Sequence, residues 1–172
     1  ALRTYNGKRV LAYSTIGQVG FILVAIGWAR LDNAAVPYAL TAAIIYAFNH
    51  AFIKSALLMV MGLVAAQSHE HSVDFVDIEG IGYKLPPIIG ILWFLGSMSL
   101  AGLPPLNGFI SKFAIVRSGV IFGEWLPLGL VVGSSTITLM YMFRTWQRVF
   151  QKKSDITLHL LHDGEKGKNH LI

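Results

Sequence analysis

"NHAFIKSALLMVMG", residues 49–62, is the stretch on which the reading of this chain turns. Lys54 follows His50 by four residues, so both lie on one face of a helix, with Tyr46 a further turn back. Around them runs an apolar segment, residues 34–66, in which Lys54 is the sole Asp, Glu, Lys or Arg. A run this long and apolar does not belong on a water-facing surface. In a bilayer it is more than long enough to cross, and must tilt, extend or bend. A lysine at such a depth costs about 2.5–3.5 kcal/mol on insertion scales, so it faces a bundle interior or a hydrated cavity.

The rest of the chain agrees with that setting. Of its 172 residues 54% are hydrophobic and 13% charged, where a soluble domain carries roughly 25% charged. Three stretches hold no Asp, Glu, Lys or Arg: residues 10–29, 86–111 and 125–143, with 20, 26 and 19 residues. Each can cross a hydrocarbon core of about 30 Å as a helix. The reading is an all-α integral membrane bundle over residues 1–150, with about five spans near 10–29, 34–66, 86–103, 107–122 and 126–150. Residues 151–172 form a polar tail in which "ITLHLL" could lie on the membrane surface. The loop at 67–84 has little to sustain a helix.

The formal charge of +5 gathers near the ends, at Arg3, Lys8 and Arg9 and then Arg144, Arg148, Lys152 and Lys153. Basic residues beside spans suit anionic headgroups, and they are read as membrane-flanking with no nucleic-acid partner. Tyr141 and Trp146 beside Arg144 and Arg148 look like an interfacial belt. Five spans put the two basic ends on opposite sides, which the positive-inside rule does not satisfy for both, so orientation stays open. With no cysteine, disulfides, thiolate nucleophiles and cysteine-ligated clusters are excluded. No secretory signal is visible.

Two proline pairs differ in their roles. Pro86 and Pro87 stand where a helix begins and a missing N–H costs nothing. Pro104 and Pro105, in "LPPLNGFISKF" at 103–113, fall in apolar sequence and interrupt helical hydrogen bonding. Broken backbone at membrane depth is tolerated against protein or a water-filled cavity, so residues 104–112 are a candidate polar site. Lys112 reaches it within two turns of the new helix start, the pattern of discontinuous helices in transporters. Together with His50, which titrates near neutral pH, Lys54 and Lys112 can hold and release protons along a file of water. Arg117 is read as snorkelling or structurally paired. The Gly and Ser residues of "GSMSLAG" and "GSSTIT" are read as helix packing. "HEH" at 69–71 is a poor metal site because adjacent residues alternate direction and no further ligand is indicated. No phosphate cradle, nucleophile elbow or paired catalytic carboxylate appears, and neither a cofactor nor a resident metal is expected.

Taken in order, "KRVLAYSTIGQVGFILVAIG", "NHAFIKSALLMVMG" and "GSMSLAGLPPLNGFISKF" resemble the proton-translocating antiporter-like membrane subunits. That family is shared by respiratory complex I and the Mrp-type multisubunit Na+/H+ antiporters. The resemblance covers about residues 8–150, and "GFISKF" and "MFRTWQRVF" look most like the Mrp D type. It implies a fold of inverted helix repeats, of which this chain resembles the second. It also implies protons moving along a mid-membrane axis, with Lys112 as the lysine of the discontinuous helix and His50 and Lys54 as the central histidine–lysine pair. On that footing the chain is a fragment or split half of a subunit in a cation/proton antiporter complex, with protons and a cation as the ions, Na+ being one candidate and the choice left open, and other membrane subunits as partners. Its place would be a bacterial or archaeal cell membrane, or an energy-transducing organelle membrane. The alternatives are a membrane-arm subunit of an NADH or ferredoxin:quinone oxidoreductase, and a non-conducting structural bundle. In each, the chain itself carries no catalytic chemistry.

Overall fold

The computed structural model describes residues 4–29, 36–68 and 71–151. Helix α1 (Gly7–Trp28) begins where the Asn6 side chain accepts the Arg9 backbone N–H at 3.1 Å, satisfying one of the free donors of a helix start. Helix α2 (Val36–Gln67) has 32 residues, about 48 Å of helix, well beyond the ~30 Å hydrocarbon core. The following loop contains a single turn, α3 (Phe75–Ile78), and a 3-10 turn at Ile81–Lys84. Helix α4 (Pro87–Ala101) opens on a proline that has no intrahelical N–H to lose. Helices α5 (Asn107–Phe122) and α6 (Trp125–Trp146) complete the bundle, and α6 runs on into a π turn, Gln147–Gln151. Among the described residues there is no strand, only an isolated bridge between Asn6 and Asp74.

Three of these helices are long and apolar enough to cross a membrane: Gly7–Trp28, Val36–Gln67 and Trp125–Gln151. At 15 and 16 residues, α4 and α5 measure only about 22 and 24 Å. Contacts at the two ends of the bundle explain how they fit. One end gathers the start of α1, the loop before α4 and the end of α6. There Gly7 N–H donates to the Val73 carbonyl at 2.8 Å, Gly80 N–H to the Arg148 carbonyl at 3.1 Å, and the Tyr83 hydroxyl to the Gln151 carbonyl at 3.0 Å. At the other end Trp28, closing α1, stacks on Phe122, closing α5, with ring centroids 6.4 Å apart. Helix α4 therefore leaves the first end and α5 arrives at the second. The segments read from sequence as two spans, 86–103 and 107–122, are two short helices that traverse the bundle once between them. With α1, α2 and α6 that makes four traverses, which return both basic ends to one side.

Burial differs from that of a water-soluble protein in two ways: polar side chains lie among the buried apolar ones, and many large apolar side chains face outward. Ser14, Gln18, Ser111 and Thr145 are enclosed and hydrogen-bonded, while Ile44, Phe48, Met59 and Leu126 are exposed. Lipid tails cover such side chains at no cost, whereas the polar ones must find partners inside. Two apolar clusters flank this polar layer. One joins Leu11, Leu57, Met61, Trp93 and Met142; the other joins Phe21, Trp28, Ala39, Ile115 and Val131.

Candidate functional site

Lys54 sits near the middle of α2 and is 6% exposed. Its ammonium donates to the Leu11 carbonyl and the Ser14 hydroxyl, both on α1. Ser14 in turn donates to the Leu11 carbonyl at 2.8 Å, so one turn of α1 supplies the whole cradle. Charge-assisted bonds of this kind are worth about 1.5–3 kcal/mol, enough to offset much of the insertion cost.

His50 lies one turn before Lys54 and stacks on Tyr46, the rings nearly parallel with centroids 6.4 Å apart. Both of its ring nitrogens are buried and have no hydrogen-bond partner. The ring borders a cavity of about 10 Å³, room for about one water, lined also by Asn49, Ser99, Gly108 and Ser111. The shared helical face read from the sequence is present, but Lys54 turns towards α1 while His50 turns towards the junction of α4 and α5.

That junction is built from the interruption. Helix α4 stops at Gly102, whose φ of 87° places it in the left-handed region, and its N–H caps the Met98 and Ser99 carbonyls. The Pro104–Pro105 bond is cis. Helix α5 then starts alongside the end of α4. Asn107 donates to the Asn49 side chain at 2.8 Å, tying the new helix to α2, and Gly108 N–H donates to the Ser99 hydroxyl at 3.2 Å. A Cβ on Gly108 would stand 1.7 Å from the Ser99 carbonyl oxygen, so only glycine permits this approach. Lys112, also 6% exposed, donates to the Ala101 carbonyl at 3.0 Å and to the Ser135 hydroxyl at 3.1 Å. Its ammonium lies 4.8 Å above the Phe21 ring, a cation–π contact. Ending α4 frees the last carbonyls and presents the negative end of its dipole to the lysine.

The structure thus brings Lys54, His50 and Lys112 into one polar layer shared by α1, α2, α5 and α6. Between the lysines stand residues the sequence reading did not single out. Gln18, fully buried, accepts the Tyr46 hydroxyl and donates to Thr138 at 3.2 Å. Tyr141, expected in an interfacial belt, is buried beside this layer. Ser135 and Thr138, read as helix packing, bond a lysine and an amide. A glutamine in the middle of a charge-free span was the available signal. Arg117 is exposed, beside a groove between α2 and α5. Of the "HEH" stretch, His69 and Glu70 lie outside the described residues, as do Arg3, Lys152, Lys153 and the tail. No cluster of metal-binding side chains occurs among the described residues.

The described residues form a membrane bundle with an interrupted helix that carries two lysines and several neutral polar side chains inward. The family model described as "NADH:quinone oxidoreductase/Mrp antiporter, TM" matches residues 1–138, and the chain belongs to that family. Among curated relatives it is 31% identical to the N-type subunit of an NADH-quinone oxidoreductase from Desulforudis audaxviator over 84% of this chain and 27% of that protein. It is 29% identical to the D-type subunit of a Na(+)/H(+) antiporter from Alkalihalophilus pseudofirmus over 87% of this chain and 29% of that protein. A chain in the structure of the Mrp complex from a Dietzia species superposes with a TM-score of 0.77 at 26% identity, covering 88% of this chain and 27% of that one. The chain thus spans less than a third of the length of these relatives. It is an integral membrane protein of the antiporter-like subunit family.

Proposed function

We propose that this chain is the lysine-bearing second repeat of a proton-translocating antiporter-like subunit, acting with other membrane subunits in an Mrp-type cation/proton antiporter. Lys54, Lys112 and His50 relay the protons, and Na+ is the exchanged cation. The observation that carries the reading is the pair of lysines enclosed to the same degree in one polar layer, each held by carbonyls and hydroxyls that take an ammonium without removing its ability to release a proton. In a site closed to bulk water such groups are functional by default. His50, with two unpartnered nitrogens beside a water-sized cavity, can exchange a proton with water at the α4–α5 junction.

The likeness to the Mrp complex and to the D-type antiporter subunit supports the antiporter. The comparable likeness to the N-type oxidoreductase subunit supports a second reading, a membrane-arm subunit of a quinone oxidoreductase. Replacing Lys54 or Lys112 by Ala in the assembled complex, and following proton flux in everted vesicles, tests the relay. Loss of flux in both variants is expected, and full flux in both would refute it. Copurifying proteins separate the two assemblies: antiporter subunits favour the first, iron–sulfur or flavin proteins the second.

A further inference from the structure

Arg117, which the relay does not use, lines a groove of about 550 Å³ on the surface between α2 and α5. The polarity of that groove is graded along its length. Its polar members are Tyr38, Thr41, Arg117 and Ser118. Thr41 is five residues beyond Val36, where α2 begins, and Arg117 five before Phe122, where α5 stops. At 1.5 Å per residue all four lie in the outer ~8 Å of the bundle at that end. Ile45 and Phe113 stand about 14 Å in and Ile110 about 18 Å in, all three exposed. No acidic side chain lines the groove.

This chemistry selects the occupant. An arginine near a helix end lays its stem on apolar surface and holds its head at headgroup level. A guanidinium there matches the oxygens of a phosphate, while the apolar depth beneath it takes hydrocarbon. A helix of about 10 Å diameter over about 18 Å would displace roughly 1,400 Å³, so it would rest on the groove and not fill it. We propose that the α2–α5 groove binds an anionic phospholipid, its phosphate held by Arg117 beside the Tyr38 hydroxyl and one acyl chain lying along Ile45, Phe113 and Ile110. Seated there, the lipid joins the start of α2 to the end of α5. The site is independent of the proton relay.

The test uses the full-length chain in its membrane complex, held in phosphatidylcholine nanodiscs. These carry a minor fraction of phosphatidylglycerol or phosphatidylcholine with a diazirine on one acyl chain. After illumination, labelled residues are mapped by mass spectrometry and normalised to Met59, an exposed residue elsewhere on α2. The phosphatidylglycerol probe should label Ile45, Ile110 and Phe113 at least fivefold more than the phosphatidylcholine probe. Arg117→Gln should erase that preference, and Arg117→Lys should retain part of it. Equal labelling by the two probes in the parent would mean ordinary solvating lipid and overturn the proposal. Labelling by neither would mean that a protein segment covers the groove, which overturns it too. A preference that survives Arg117→Gln overturns the placement of the headgroup. Should Arg117→Gln fail to assemble, Ile45→Trp decides, because it fills the inner groove and leaves the guanidinium intact. The preference at Ile110 and Phe113 should then be lost, and its persistence overturns the site. Proton flux is not read, so failure of the relay leaves this outcome unaffected.

Discussion

Lys54 and Lys112 are enclosed to the same 6% exposure, and each bonds one carbonyl and one hydroxyl, yet their sites are made in different ways. Lys54 stands on an unbroken helix and borrows from another. The Leu11 carbonyl it uses also accepts the Ser14 and Thr15 hydroxyls, the latter at 3.1 Å. Lys112 is served by a carbonyl near the end of α4, where the helix has stopped, so no further turn competes for it. One site adds a cation to a helix that would stand without it. The other exists only because a helix is interrupted, and it inherits every constraint of the interruption. Backbone changes should therefore damage the Lys112 site, and side-chain changes the Lys54 site.

Substitutions separate the two sites. The largest effect should come from the lysines themselves: Lys54→Ala and Lys112→Ala should each cut proton flux at least tenfold, and unequal losses would show that the two sites do not act in series. Next in size is Gly108→Ala. Its methyl would collide with the Ser99 carbonyl at 1.7 Å, so the start of α5 must move, at about 3 kcal/mol or more. Thermal unfolding in detergent should show a lowered Tm with Lys112 disturbed, and an unchanged Tm would mean that α5 does not abut α4 as described. Ser14→Ala deletes an acceptor of Lys54 and should destabilise by about 1.5–3 kcal/mol while leaving the Lys112 site intact. Asn107→Ala, which unties α5 from α2, should cost about 1 kcal/mol. The smallest perturbation is topological. Single cysteines at Lys8 and Arg148 should react with an impermeant thiol reagent from the same side of sealed vesicles, and reaction from opposite sides would sink the four-traverse path.

Much of this was legible in the chain alone, and the particular residues show why. The charge-free runs around Val10, Leu92 and Val131 announce helices in lipid because a backbone there must satisfy itself. Lys54 and Lys112 stood out because a charge is conspicuous where nearly everything else is apolar. Gln18, Ser135, Thr138 and Tyr141 did not stand out. Neutral polar side chains occur on packing faces as readily as in a relay, and what separates the two is which helix lies opposite.

The short turns at Phe75–Ile78 and Ile81–Lys84 fall in what reads as a loop. The sequence by itself determined the class of protein, the approximate place of the five longer helices and the residues whose burial in lipid demands a reason. Those follow from composition and local hydrogen bonding, which the chain states residue by residue. Only the tertiary structure decided that α4 and α5 share one traverse, that Lys54 turns to α1 rather than to His50, and that Gln18 joins α1 to α2 and α6 through Tyr46 and Thr138. Each of these depends on a contact between segments 28 to 120 residues apart in the chain, such as Gln18 with Tyr46 and with Thr138. Distances of that kind are set by how whole helices pack, and no local pattern encodes them.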